Sequence, residues 1–333
     1  MSNSSQPLVS VCIGTYNRAD YIRECLDSVL AQTYPNLEII VVDDASTDRT
    51  VDLLRSYGNR IKMVLRTDNS GKPATPRNDG IKLAKGTYVA FLDSDDCWYP
   101  EKVARQVALM EMYPEVMLVH CYCRIIDQDG VPGVIRHEGV IPETGRIFEK
   151  LLRHCFIATS TMMIKADYFR QNTAFNEDVR LRAKEDYELF LRVAYQHVVG
   201  FIPEVMAYYR RSSSGISQED RSWRDSPVDT AVQRHILTGR SVLSGVVDRR
   251  MLRIIIAEGL NENIEYWRGR GRPGRSLMLV GRALALSPFN AEAWGHLLRS
   301  LVRLCMAGSR IYPCVCRAQN RIQGDRRSQR GHR

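Results

Sequence analysis

This sequence lacks both a membrane-spanning segment and a secretory signal. Its N-terminus, MSNSSQPLVSVCIG, carries no basic stretch, and the short apolar run is soon broken by Thr15, Tyr16, Asn17 and Arg18. The expectation is a chain that stays in the cytoplasm. C-x-x-C pairs are missing too: the nine cysteines include two C-x-C pairs, Cys121 with Cys123 and Cys314 with Cys316, which do not have zinc-site spacing. In a reducing compartment they read as small buried hydrophobes. No H-E-x-x-H and no Ser-His-Asp spacing stands out. Two glycine-rich stretches fail as phosphate loops. Gly71-Lys72 runs into Pro73 without an upstream glycine, and Gly269 to Gly274 fits G-x-G-x-x-G but follows a helical pattern instead of a strand, so it reads as a linker.

What is present is an ordinary globular composition. A chain of 333 residues that is 44% hydrophobic can build one large domain, or a domain and a smaller partner. The net charge of +9 is uneven, because Arg310, Arg317, Arg321, Arg326, Arg327, Arg330 and Arg333 face a single acid, Asp325, at the C-terminal end. Such a tail is either simply solvated or makes peripheral contact with an anionic membrane surface; no nucleic-acid partner is expected.

From Leu8 onward, β-rich apolar runs alternate with helical patterns: LVSVCI, Tyr21 to Gln32, LEIIVVD, Asp48 to Tyr57, IKMVL, a helix to Ala84, then TYVAFLD. Strands separated by helices of this length imply βαβ units and a mostly parallel sheet flanked by helices, an α/β fold. Ligands of such sheets sit at the carboxyl ends of the strands. The polar clusters fall there: Gly14 to Arg18, Asp43 to Asp48, and Asp93 to Asp96. After Trp98 the pattern is mixed, with a helix from about Pro100 to Tyr113, a strand VMLVHCYCRII and a turn at Asp129-Gly130. From about Asp229 to Gly308 every segment reads helical; GRALALSPFNAEAWGHLL looks like one joint of a tetratricopeptide-type pair, without a second copy. The expected layout is a catalytic domain over 1–225, a helical appendage over 226–308 and a basic tail over 309–333.

Four constellations carry chemistry. Asp43-Asp44 ends a strand, and two adjacent acids repel unless a donor faces them; a ribose, base or metal complex would serve, or Asp44 merely caps the turn through ASTD. Asp93-Ser94-Asp95-Asp96 is a hard, oxygen-rich cluster suited to Mg²⁺ or Mn²⁺ bridging to substrate phosphates. Arg77 lies on a helix beginning near Pro73, where it meets a base or phosphates or pairs with Asp43 or Asp44. Glu185-Asp186 opens a helix whose dipole favours an ionised carboxylate, the form a general base requires, or the pair merely caps the helix start, as acids there commonly do.

Read together, VSVCIGTYNRADYIRECLDSVLAQTYPNLEIIVVDDASTD, NSGKPATPRNDG, GTYVAFLDSDD and KEDYELFLRV resemble the family 2 glycosyltransferases of GT-A fold, from about Leu8 to Ser217. The resemblance implies inverting transfer from a nucleotide-diphospho-sugar to a hydroxyl of a glycan or lipid-linked acceptor, in surface polysaccharide, glycolipid or glycan synthesis. It also implies Mn²⁺ or Mg²⁺ on the diphosphate. By position, it puts Thr15, Asn17 and Arg18 on the nucleotide-binding turn, Asp44 at the base or ribose, and Arg77 in the arginine position after Pro76, where alanine is usual. Asp93 and Asp95 form the D-x-D motif with Asp95 as metal ligand, Asp96 lies on the ribose or metal side, and Asp186, with Glu185 beside it, is the base. Where many relatives carry a histidine after a Y-R pair, this chain reads Tyr209-Arg210-Arg211-Ser212, which makes Arg210 or Arg211 the stand-in.

Two rival functions are weighed. A sugar-phosphate nucleotidyltransferase needs a glycine-rich basic loop after the first strand, and GTYNRAD is not one. A non-catalytic binding scaffold has no need of both D-x-D and Glu-Asp.

Overall fold

The computed structural model describes residues 6–136, 143–211, 230–269, 273–288 and 290–298. The chain divides into two compact units, Met1–Arg221 with Ser241–Leu243 and Ser222–Arg240 with Ser244–Arg333. The first unit is built on a nine-stranded sheet. Its leading half alternates strand and helix as the periodicity predicts: β1 Val9–Thr15, α1 Ile22–Leu30, β2 Leu37–Asp43, α2 Thr50–Arg55, β3 Lys62–Leu65, α3 Ala74–Leu83 and β4 Tyr88–Phe91. Then follow β5 Cys97–Trp98, α4 Lys102–Met112, β6 Val116–Ile126, β7 Pro132–Ile135, α5 Phe148–Arg153, β8 Met163–Lys165, α6 Asp167–Gln171, α7 Glu185–Gln196 and β9 Val198–Arg210.

The strand order is β3-β2-β1-β4-β8-β6-β9-β5, with β7 paired to β6. The first four are mutually parallel; β8 runs antiparallel between β4 and β6, and β9 lies parallel to β6. Sequence periodicity does not reveal β5, a two-residue edge strand whose burial comes from pairing with β9. α2 is also shorter than expected, because Gly58 at φ 57° turns the chain after it.

Strands β1 and β2 are mostly apolar and mostly buried because both faces are covered, with Ser10, Thr15, Glu38 and Asp43 as their polar residues. On one face Val9, Val11 and Ile13 pack with Ile22, Cys25, Leu26 and Val29 of α1, spaced i, i+3, i+4 and i+7. Burying each such side chain stabilises the fold by roughly 1.5–3 kcal/mol. On the other face α3 lies so close that a Cβ at Gly80 would sit 3.3 Å from Cys12, and one at Gly14 3.1 Å from Pro76. The strand ends are therefore held in register, with Thr15 opposite Asp43 and Asp43 opposite Leu65.

The second unit is helical as the sequence predicts, with α8 Ala231–Leu237, α9 Arg249–Gly269 and α10 Pro273–Leu286, the last two around a core of Ile256, Leu260, Ile264, Val280 and Ala283. Of the stretch Gly269 to Gly274, expected as a linker, Gly269 ends α9 and Pro273 and Gly274 open α10, while residues 270–272 lie outside the described residues. The basic tail, and Ser212 of the Y-R segment, lie outside the described residues.

Candidate functional site

The carboxyl ends of β1, β2 and β4 and the start of α7 carry nine of the ten nucleotide, metal and catalytic residues the sequence singles out, and α3 carries the tenth, Arg77. The turns after β1 and β2 are laced together. Asn17, at φ 49°, donates its N–H to Ser46 Oγ at 2.9 Å and accepts from Thr47 N at 2.8 Å. Arg18 N donates to Thr50 Oγ1 at 2.8 Å, and Ala19 N to Asp48 at 3.1 Å. Thr15 is buried, and its Oγ1, like Asp43 Oδ1, has no hydrogen-bond partner among the described residues. Unmatched buried polar atoms are costly and rare, and these two sit on register-paired residues at the strand ends.

Of the two readings of Asp44, the turn-capping one falls to its neighbour. Asp43, not Asp44, caps the following turn, accepting Ser46 N at 2.8 Å. Asp44 instead accepts Ser70 N at 3.0 Å and Ser70 Oγ at 2.7 Å, and faces Arg66 Nε at 2.8 Å. Arg66 also holds Asp79. Sequence reading missed Arg66, although its place just after β3 is the same strand-end signal that marked the others.

Arg77 does not pair with Asp43 or Asp44. Buried by its helix against the sheet, it forks between Asp93 Oδ1 at 2.5 Å and Glu185 Oε1 at 2.6 Å, with the Phe175 ring 5.4 Å away. Burial opposes its charge, but Asp93 and Glu185 outweigh burial and push its pKa up. Burial raises the Glu185 carboxyl above its usual range, with Arg77 offsetting part of that. One guanidinium thus ties the D-x-D turn to the Glu-Asp helix.

Within the turn the three acids diverge. Asp95 faces Arg18 Nε at 3.4 Å, and burial, with Asp93 beside it, raises its pKa. Asp96, expected on the ribose or metal side, is a buried structural group: Ser160 Oγ donates to Oδ2 at 2.5 Å and Arg210 N to Oδ1 at 2.7 Å. Burial lifts its pKa well above the carboxylate range, and Asp95 and Asp93 lift it further. Arg210 is likewise committed, since its side chain donates to Asp95 O at 2.9 Å, to Asp127 O and Gln128 O, and pairs with Glu24 at 2.5 Å. It therefore braces the turn from behind, whereas Arg211 is exposed.

Asp186 is partly exposed. Thr159 Oγ1 donates to its Oδ2 at 2.7 Å, and Tyr187 N to its Oδ1 at 2.7 Å. Thr159 and Ser160, both buried, were not foreseen. The only sequence signal was a run of three hydroxyl residues, Thr159 to Thr161, ahead of a short strand. Among the described residues, three outside glycine have positive φ: Asn17, Ala45 at 62° and Ala183 at 62°. Each lies in a loop that delivers one of these groups, and strain of this kind collects at functional sites.

A curled, mostly parallel sheet with acidic turns at its strand ends defines a nucleotide-binding α/β fold of the GT-A kind, and comparison with known proteins narrows it. The family model described as Glycosyl transferase family 2 matches residues 10–173. A putative teichuronic acid biosynthesis glycosyltransferase of Bacillus subtilis is 32% identical over 235 residues, covering 69% of this chain and 89% of the relative. The Escherichia coli UDP-Glc:alpha-D-GlcNAc-diphosphoundecaprenol beta-1,3-glucosyltransferase is 32% identical over 212 residues, covering 63% and 80%. An uncharacterized glycosyltransferase of Rickettsia typhi is 35% identical over 211 residues, and the chain spans 64% of its length. S. aureus TarS in complex with UDP-GlcNAc superposes with a TM-score of 0.60 at 25% identity, over 84% of this chain and 81% of that one. The chain belongs to glycosyl transferase family 2.

Proposed function

We propose that this chain is an inverting glycosyltransferase that moves a sugar from a nucleotide-diphospho-sugar to a hydroxyl of a glycan or lipid-linked acceptor, in polysaccharide synthesis. The observation that carries the reading is the Arg77 fork, which ties the D-x-D turn to buried Glu185 and so sets that turn beside the helix start that bears partly exposed Asp186 in a family 2 fold. The unmatched Thr15 Oγ1 and Asp43 Oδ1 favour a polar ligand there, and we assign the nucleoside to Thr15, Asn17, Arg18 and Asp44.

Asp95, assisted by Asp93, would hold Mn²⁺ or Mg²⁺. The donor set fits: hard oxygens, with Asp95 raised in pKa by burial and a like charge, a state that a divalent cation relieves. Among the described residues no cluster of three or more His, Cys, Asp or Glu could hold an ion unaided, so the ion would need oxygens from the donor diphosphate or from water besides these two carboxylates. When bound, the ion supplies Lewis-acid neutralisation of the departing diphosphate. Asp186 accepts the acceptor hydroxyl proton as the acceptor oxygen bonds to the anomeric carbon. The bond from that carbon to the diphosphate oxygen breaks, and its electron pair leaves with the phosphate. Glu185, buried against Arg77, orients Asp186's helix and does not itself take the proton.

We assign this chemistry to residues 1–225, with 226–308 as a helical appendage. Among the described residues no helix is long and apolar enough to cross a membrane. The relatives' names make UDP-sugars the first donors to test, with GDP-mannose next, because a mannosyltransferase from Pyrobaculum calidifontis, 21% identical, is known with GDP-Man and Mn²⁺. Calorimetry with UDP, GDP, dTDP and CMP, with and without Mn²⁺, should show one diphosphate binding in a metal-dependent way. Asp95→Asn should remove that binding. If no nucleotide binds under any condition, the transferase reading fails in favour of a scaffold.

A further inference from the structure

The Asp186 carboxylate and the D-x-D turn meet a second, separate connector besides Arg77. The turn Thr159–Thr161 enters β8, which runs antiparallel to β4 with Met163 opposite Ala90. That register sets its first hydroxyls level with the end of β4, where the acidic turn begins. Thr159 Oγ1 donates to Asp186 Oδ2 at 2.7 Å. The next residue, Ser160, accepts Asp93 N at 3.1 Å and donates to Asp96 Oδ2 at 2.5 Å. Both side chains are buried and every hydroxyl bond is made inside the protein.

The turn is itself fixed from behind. Trp98 Nε1 donates to Ser160 O at 2.7 Å, Gln106 Nε2 to Thr161 O at 2.7 Å, and Thr161 Oγ1 to Ala158 O at 2.7 Å. Lys102 in turn donates to Gln106 Oε1 at 2.8 Å and lies over the Trp98 ring. Two consecutive residues, locked to the α4 side of the sheet, thus reach separately to the acceptor side and the leaving-group side of the site.

We propose that Thr159 and Ser160 form a positioning bridge that sets the spacing of the general base against the diphosphate-binding turn. The inference rests on the glycosyltransferase reading above. In-line displacement needs the attacking and leaving oxygens on opposite sides of one carbon, so an error of about 1 Å in that spacing costs about 100-fold in rate. Thr159 also leaves only one orientation for Asp186, because Tyr187 N occupies its other oxygen. Ser160 acts on the opposite partner by fixing the Asp93 backbone and the Asp96 carboxylate that flank Asp95. Each hydroxyl acts through a partner, Thr159 through the Asp186 carboxylate and Ser160 through the acidic turn, so their roles are positional.

The test uses the full chain and release of nucleoside diphosphate from UDP-glucose, UDP-N-acetylglucosamine and GDP-mannose, with calorimetric binding of the matching diphosphate and Mn²⁺. Thr159→Val should lower kcat about 10- to 100-fold with donor KM and diphosphate affinity within about twofold, and Thr159→Ser should restore most of kcat. Ser160→Ala should instead weaken Mn²⁺-dependent diphosphate binding about 10-fold or more while leaving metal-free binding unchanged. If Thr159→Val turns over like wild type, or if Thr159→Ser is as impaired as Thr159→Val while both melt at the wild-type temperature, the bridge is overturned. If Thr159→Val does not fold, the Ser variant and Ser160→Ala decide the matter on the same criteria. A wild-type chain that releases diphosphate from none of the donors overturns the transferase reading itself.

Discussion

Arg77 illustrates how much one buried charge can determine. Its guanidinium satisfies two carboxylates, one 16 and the other 108 positions along the chain from it, and Glu185 pairs with no other cation among the described residues. Arg77→Met should therefore destabilise the fold by about 3–5 kcal/mol, because it strands a buried carboxylate. Urea unfolding would measure this, and adding Glu185→Leu should recover much of the loss. Arg77→Lys should fall between, since an ammonium cannot fork. The backbone strain is also a residue-scale property. Ala183 holds φ 62° two positions before Glu185, so Ala183→Gly should gain roughly 0.5–1 kcal/mol in the same assay. Residue identity announced the acidic partners in the sequence, but not which acid meets which base, because Arg66, Arg77 and Arg210 were interchangeable until the helices packed.

Elements carry the next level of constraint. The loop entering β4 passes so near β1 that a Cβ at Gly86 would lie 2.7 Å from both Leu8 O and Ser10 N, backbone atoms that cannot yield. Gly86→Ala should cost about 1–3 kcal/mol, and, because β4 launches the acidic turn, should also weaken Mn²⁺-dependent nucleotide binding. Gly14→Ala meets only the Pro76 ring, at 3.1 Å, and should cost less in denaturant melts. The βα units of the first half were legible because hydrophobic period 2 or 3.6 is a local property. β5, β8 and the Thr159–Thr161 turn were not, since strands of two or three residues owe their existence to partners far along the chain.

At the scale of the whole molecule, two buried bases each contribute to the response to pH, with a sign opposite to that of the buried carboxylates Asp96 and Glu185, whose pKa burial raises. Burial lowers the Lys102 pKa from 10.5 to about 7, and that of His120, packed against Phe156 and Phe201, from 6.5 to about 3. In each case the unfolded chain binds a proton that the folded one refuses. Stability therefore rises with pH from about 7 to 10.5 on account of Lys102 and from about 3 to 6.5 on account of His120, each by up to about 1.4 kcal/mol per unit. Lys102→Met should flatten the upper window and His120→Leu the lower one in thermal melts across pH.

The sequence by itself determined the alternation of strand and helix, the apolar faces, and the placement of acids at strand ends, because each depends on residues close together in the chain. It also determined the family resemblance, carried by motifs that keep their order and spacing. Only the tertiary structure decided that Asp44 meets Ser70 and Arg66, that Arg77 joins Asp93 to Glu185, that Asp96 and Arg210 turn inward, and that Thr159 and Ser160 reach two sides of one cleft. These are contacts between segments tens to more than a hundred residues apart. No local pattern encodes them, since the same arginine or serine could satisfy several partners until packing leaves one within reach.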